Sequence, residues 1–195
     1  FNGHDTGGLG VATLLAAAEA GVDAVDCALD SLSGITSQPM LGAIVRALEG
    51  TERDPRLAPA HVLTLSRYFE DVRRQYAPFE IDLRAGTSEV FRHEMPGGQY
   101  TNLREQARAL GLADRWPEIA SRYEDVNRLF GDIVKITPTS KIVADLALFM
   151  VMRDLSPEDV LDPEQKMSFP ASVVSLLRGD LGTPDEGFPP ALCRK

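Results

Sequence analysis

The sequence predicts a chain that opens as an α/β protein and continues as a predominantly helical one. Three observations predict this. Residues 1–50 run loop, helix pattern, strand pattern, loop, helix pattern, the βα repeat of an α/β fold. Residues 51–180 carry apolar side chains at three- and four-residue spacing in one segment after another. Residues 181–195, with Pro184, Pro189 and Pro190, read as an exit linker.

Each element has its own signal. Leu9–Ala20 is rich in small apolar residues and ends at Gly21, as a helix does. Val22–Leu29 mixes Val and Ala with Asp in the manner of a mostly buried parallel strand. Pro39–Leu48 is a second helix, stopped by Gly50. These make about one and a half βα units, so the rest of any barrel or sheet is expected upstream. Thr51–Pro59 is a charged, proline-bearing linker. Beyond it, His61–Tyr76, Thr101–Leu112, Trp116–Ile133, Thr139–Met152 and Ala171–Leu177 are the predicted helices. Glu80–Leu83 and Glu89–His93 are weak strand candidates. No internal repeat is present.

Composition narrows the class. The chain has 195 residues, 44% hydrophobic and 25% charged, enough to bury a core. Its net charge of −9 and the lack of any basic stripe argue against nucleic acid as a partner. The apolar run Ile142–Met152 is broken by Asp145 and too short to span a bilayer, so no membrane role is expected. Cys27 and Cys193 form no CxxC pair, which indicates neither a zinc site nor a disulfide framework and fits a reducing compartment. The chain starts at Phe1 with neither Met nor a signal-peptide pattern, and a fragment or processed piece is expected.

Three constellations could carry chemistry. In Asn2-Gly3-His4-Asp5-Thr6-Gly7, positions 2 and 4 of a strand point to one side, the spacing of half a metal site. Only His4 is a good ligand there, and a lone histidine is more often structural. In Pro96-Gly97-Gly98-Gln99-Tyr100-Thr101, two glycines make a close turn that delivers Gln99 to the mouth of the following helix. Its amide offers both donors and an acceptor to a urea or amide ligand, although a tight turn with a polar tip explains the motif as well.

The third constellation is Lys135-Ile136-Thr137-Pro138-Thr139-Ser140-Lys141, between two predicted helices. Pro138 suits the first helical position, which places Thr137 as the N-cap. Lys141 stands at the positive end of the helix dipole, an unfavourable place for a cation. Thr, Ser and Lys together at a helix start suit an anionic or carbonyl-rich ligand. A hydroxyl both donates and accepts, so Thr137 can pass a proton between a weakly basic nitrogen and a carbon acid. His61 and His93 read as structural, Trp116 as core or the start of a helix, and Asp23/Asp26 and Glu124/Asp125 as solvated faces or helix-surface charges.

Taken together, His4-Asp5-Thr6, Ser33-Gly34-Ile35-Thr36-Ser37-Gln38-Pro39, Glu94-Met95-Pro96-Gly97-Gly98-Gln99-Tyr100-Thr101-Asn102-Leu103 and Gly131-Asp132-Ile133-Val134-Lys135-Ile136-Thr137-Pro138-Thr139-Ser140-Lys141 occur in this order in one family. Over essentially its whole length the chain resembles the carboxyltransferase domain of pyruvate carboxylase, most closely the bacterial multidomain type. The resemblance implies a TIM barrel whose last βα units are residues 1–50, a helical funnel over residues 51–180, and a linker over residues 181–195. It implies transfer of carboxyl from N1′ of carboxybiotin to the methyl carbon of pyruvate, giving oxaloacetate. Thr137 then matches the proton shuttle, Gln99, Ser140 and Lys141 match residues lining the biotin pocket, and His4 matches one of two histidine ligands of a divalent metal, Zn or Mn.

Biotin would arrive on a separate carrier domain of the same or a neighbouring subunit, ATP would be used only at a domain outside this chain, and the assembly would be a homo-oligomer, a tetramer in the family, in a bacterial cytoplasm. Two departures stand out. The family pattern is His-x-His-Asp-Thr, and Asn2 occupies the first histidine's position. The remaining metal ligands and the pyruvate-binding residues are expected upstream, so this piece alone is expected to be inactive. The alternatives are the related subunit of oxaloacetate decarboxylase or transcarboxylase, a lyase of the hydroxymethylglutaryl-CoA type, and a non-catalytic helical module for docking or oligomerisation.

Overall fold

The computed structural model describes residues 1–193. The chain divides into two compact units, Phe1–Phe91 and Arg92–Lys195. This division falls later than the turn from βα pattern to helical pattern at residue 50, because the first helix after that turn packs on the elements before it.

In the first unit, α1 (Gly10–Glu19) packs on α2 (Leu41–Leu48), and α2 on α3 (Pro59–Tyr76). Leu14 and Ala18 of α1, Ile44 and Val45 of α2, and Val62 of α3 are buried. The α1 and α2 starts are fixed by carboxylates from elsewhere in the loops. The Gly10 N–H donates to Asp5 Oδ1 at 2.8 Å, and the Gly42 N–H to Asp30 Oδ1 at 2.8 Å. Each anion thereby meets the positive end of a helix. A 3-10 turn, Asp30–Leu32, is held to α3 by the Ser31 N–H donating to Ser66 Oγ at 2.9 Å.

The strand expected over Val22–Leu29 does not form, and the weak candidates Glu80–Leu83 and Glu89–His93 are not strands either. The Asp26 N–H donates to the Phe1 carbonyl at 2.9 Å, and Ala28 forms a parallel bridge with Met40. Each contact stops after one bridge. The Phe1 ammonium also donates to the Ala24 carbonyl at 2.6 Å, and the Ala28 and Leu41 N–H groups donate to the Pro39 and Ala28 carbonyls at 3.0 and 2.9 Å. Neither neighbour receives the longer run of rungs that makes a ladder. The apolar alternation was real, but strand identity depends on pairing. Among the described residues the chain is therefore helical throughout, as the pattern after residue 51 led one to expect.

The second unit is built on α7 (Thr139–Met152), reached through α4 (Val90–His93, which straddles the division), α5 (Gly97–Ala109) and α6 (Trp116–Leu129). Ile142, Val143, Ala144, Leu146, Ala147, Leu148, Met150 and Val151 are all buried, so α7 is apolar nearly all round. Such a helix must be covered on several sides. Indeed α5, α6 and α9 (Ala171–Leu177) pack on it, while α8 (Pro157–Leu161) packs on α6 and on α10 (Pro190–Cys193). Tyr123, Val126, Leu103, Val160 and Val173 complete this core. Leu192 of α10 is 1% exposed, so the segment expected as an exit linker carries a packed helical turn.

The start of α5 also differs from expectation. α5 begins at Gly97, four residues before the expected start, so Gly97-Gly98-Gln99 is the helix's first turn. Glycine's poor helix propensity hid it, and burial of Gly97, Gln99 and Tyr100 overrides that preference. No helix among the described residues is long and apolar enough to cross a membrane.

Candidate functional site

Four of the five predicted site residues belong to the second unit, at the starts of two helices that pack together. Gln99 lies in the first turn of α5, and Thr137, Ser140 and Lys141 lie at the start of α7.

The α7 start departs from the simple cap. Helical residues begin at Thr139, with Pro138 at the cap position and a cis Thr137–Pro138 peptide. Thr137 is not the N-cap; its side chain is exposed, and no hydrogen bond holds its hydroxyl among the described residues. The local fastening is done by Thr139. Its hydroxyl reaches the Val134 carbonyl at 2.6 Å and the Ile136 carbonyl at 2.8 Å, and accepts the Ile136 N–H at 3.1 Å. This releases Thr137 from structural duty and leaves its hydroxyl available to a reactant.

Ser140 is 6% exposed, and its carbonyl accepts the Tyr123 hydroxyl at 3.4 Å. Burial pushes the Tyr123 phenol well above the usual tyrosine range, so it acts as a neutral donor. Lys141 is more exposed. Its ammonium sits 2.8 Å from each oxygen of Asp145, which also accepts the Ser172 hydroxyl of α9 at 2.7 Å. The unfavourable cation at the helix start is thus compensated one turn further on.

Gln99 is 8% exposed, and its Nε2 is buried with no hydrogen-bond partner. A buried amide donor without a partner carries a desolvation cost, and such groups in folded proteins point to a ligand or a water. The loops that precede the two helices are joined, for Lys135 Nζ donates to Glu94 Oε2 at 2.7 Å. The loop before α7 also borders a cavity of about 480 Å³ lined by Val134, Ile136, Thr139, Leu176, Leu181 and Phe188 among others; Thr137, Ser140 and Lys141 do not line it.

His4 lies in the first unit and is exposed. The neighbouring Asp5 carboxylate is engaged by the Gly10 N–H, and no group of three or more His, Cys, Asp or Glu side chains among the described residues could hold a metal. One histidine cannot make a zinc site, which takes at least three protein donors. The described residues therefore do not by themselves fit the metal.

Sequence reasoning missed Lys135, Glu94, Asp145 and Thr139. The Lys141/Asp145 spacing of one helical turn was a readable signal. Lys135 and Glu94 are far apart in sequence and offered none. Of the two readings of Glu124 and Asp125, they are charges on the surface of α6: Glu124 pairs with Arg92 at 3.1 Å and also with Arg128, and Asp125 pairs with Arg122 at 2.8 Å.

Comparison with known proteins gives a consistent result. The family described as the conserved carboxylase domain matches residues 90–195. The pyruvate carboxylase of Aspergillus terreus is 53% identical over 189 residues, covering 97% of this chain and 16% of the relative. That of Bacillus subtilis is 47% identical over 189 residues with the same coverage. The carboxyl transferase domain of Rhizobium etli pyruvate carboxylase, solved with pyruvate and biocytin, matches with a TM-score of 0.98 at 60% identity, over 100% of this chain and 33% of that one. The complete multifunctional enzyme from the same organism matches with a TM-score of 0.97 over 18% of its chain. The chain thus spans about a sixth of the length of the curated relatives it matches.

Proposed function

Because the chain belongs to the pyruvate carboxylase family through its conserved carboxylase domain, we propose that it is part of a carboxyltransferase that moves a carboxyl group from biotin to pyruvate. One observation carries the reading to this chain's own residues. The buried, unpartnered amide of Gln99 and the unengaged hydroxyl of Thr137 stand at the starts of two packed helices whose approach loops are joined.

Carboxybiotin, brought by a carrier domain outside this sequence, supplies the carboxyl group. The pyruvate methyl carbon must lose a proton to accept it, and N1′ of biotin must gain one. Thr137 accepts the methyl proton while donating its own to N1′, so the hydroxyl ends as it began and carries no net charge between the steps. Gln99 Nε2 donates to the biotin ureido oxygen and thereby makes the hydrogen bond it lacks in the protein alone. Ser140 and Lys141, at the same helix start as Thr137, would contact the biotin beside it. His4 would contribute one metal ligand, with the others supplied from outside this sequence, where the remainder of a TIM barrel would also lie. The parallel bridge of Ala28 with Met40 supports that barrel reading.

The test is Thr137→Ala in the full-length enzyme. Oxaloacetate formation is expected to be lost while ATP-dependent carboxylation of biotin persists. Near-normal pyruvate carboxylation would remove Thr137 from the mechanism.

A further inference from the structure

Thr137 and Gln99 can act on one reaction only if the loops that carry them are held in a fixed relation. Lys135 lies two residues before Thr137, and Glu94 lies five before Gln99. The Lys135 side chain is 11% exposed, although its neighbours Val134 and Ile136 are 74% and 64% exposed. The stem of Lys135 is thus laid against the protein in an otherwise open loop, which leaves its ammonium one main anionic partner. Glu94 is that partner, at 2.7 Å.

The backbone at the glutamate end of this pair is firmly seated, while the side chain itself is 62% exposed. Glu94 takes a left-handed backbone conformation, φ 53°, between two buried residues, His93 at 1% and Met95 at 2% exposed. The Met95 N–H donates to His93 Nδ1 at 3.1 Å, which closes the turn that launches α5. The Thr139 bonds are of another kind: they join residues of one loop and fix its shape, not its place. Lys135 places it.

We propose that the Lys135–Glu94 ion pair is a positioning tether that sets the Thr137 hydroxyl relative to the Gln99 amide for proton transfer. Neither residue touches a reactant. The inference rests on the carboxyltransferase reading above. Proton relay through a hydroxyl requires donor and acceptor within hydrogen-bond reach, and a displacement of about 1 Å can cost about a hundredfold in rate. The tether therefore acts on kcat and leaves the binding of pyruvate alone.

The experiment uses the full-length enzyme. Lys135→Met and Glu94→Gln are each expected to lower kcat for oxaloacetate formation by about tenfold or more, with the KM for pyruvate and the ATP-dependent carboxylation of biotin unchanged. Lys135→Arg, which keeps the cation, is expected to retain most of the rate. Glu94→Gln alters one atom of a side chain that is 62% exposed, and so carries the test if Lys135→Met fails to fold. A folded variant with kcat within about twofold of the parent overturns the tether, as does a fall in kcat matched by an equal loss of biotin carboxylation. The parent reading fails separately, through an active Thr137→Ala enzyme.

Discussion

Asp145 receives the Lys141 ammonium on both carboxylate oxygens at 2.8 Å, one turn along α7 and braced from α9 by Ser172. The lysine side chain is 58% exposed and the carboxylate 18%. An ion pair with so wet a cation contributes only about 0.5 kcal/mol to stability, so its value lies in aiming the cation.

Asp145→Asn keeps the shape of the side chain and removes its charge. The variant of the full-length enzyme should melt within a few degrees of the parent and lose oxaloacetate formation several-fold. A steady-state assay beside a thermal melt checks both. An unchanged rate would show that Lys141 functions without Asp145.

Gly86 and Gly7 make a paired test of local packing. A Cβ at Gly86 would stand 2.4 Å from the Thr6 carbonyl oxygen, which also accepts the Thr87 N–H at 2.8 Å. That is backbone, and it cannot swing aside. A Cβ at Gly7 would meet the tip of the Phe91 ring at 2.3 Å, but this ring is 59% exposed and can rotate away. Gly86→Ala should cost about 2 kcal/mol and Gly7→Ala clearly less than half of that, read from denaturant midpoints. Equal losses would mean that Phe91 is as fixed as the backbone.

What the sequence disclosed divides along physical lines. The starts of α6, α7 and α9 at Trp116, Thr139 and Ala171 fall where periodicity placed them, because amphipathic spacing is a local property. Pro138, by contrast, expected as the first helical residue, stands at the cap position. The start of α5 was displaced because two glycines oppose a helix locally, and only burial in the folded protein favours it. Val22–Leu29 reads locally as a mostly buried strand, yet none of its residues is buried and its hydrogen bonds go to separate neighbours, because burial and pairing depend on partners distant in sequence. The site divides in the same way. Gln99, Thr137, Ser140 and Lys141 were readable from motifs; the freedom of the Thr137 hydroxyl was not, because it depends on Thr139 taking over the fastening of the loop. The Lys135–Glu94 contact spans 41 residues and could be read only in three dimensions.

The start of α8 gives the chain an acid-sensitive element. The Ser156 N–H donates to Asp159 Oδ2 at 2.8 Å, and the Asp159 N–H to Ser156 Oγ at 3.2 Å, a reciprocal capping box. Backbone and side-chain hydrogen bonds from Ser156 hold the Asp159 carboxyl below its ordinary value. The Arg73 guanidinium does the same for Glu80 in the first unit. A carboxyl whose folded value is depressed stabilises the fold above the unfolded value, and that stability is lost as pH falls through the folded value. The melting temperature should thus fall as pH drops below about 4. Asp159→Asn should start lower at neutral pH and fall less steeply in acid. Parallel curves for parent and variant would show that the box adds no pH dependence.

Gln99 separates stability from function most sharply. Its Nε2 is buried without a partner, a state that costs about 1–3 kcal/mol relative to a satisfied or absent donor. Methionine has nearly the same length, is flexible enough to fill the same space, and brings no donor. Gln99→Met should therefore melt at the same temperature as the parent or higher, with a gain of about 1 kcal/mol. The same enzyme should lose oxaloacetate formation by about tenfold or more, since the hydrogen bond to the ureido oxygen is gone. Gln99→Glu should lower both, because it buries a carboxylate in the same place. A methionine variant that is less stable than the parent would mean that the amide is already satisfied in the folded enzyme. In that case the buried donor would be structural, and the biotin contact would have to come from Ser140 and Lys141 alone.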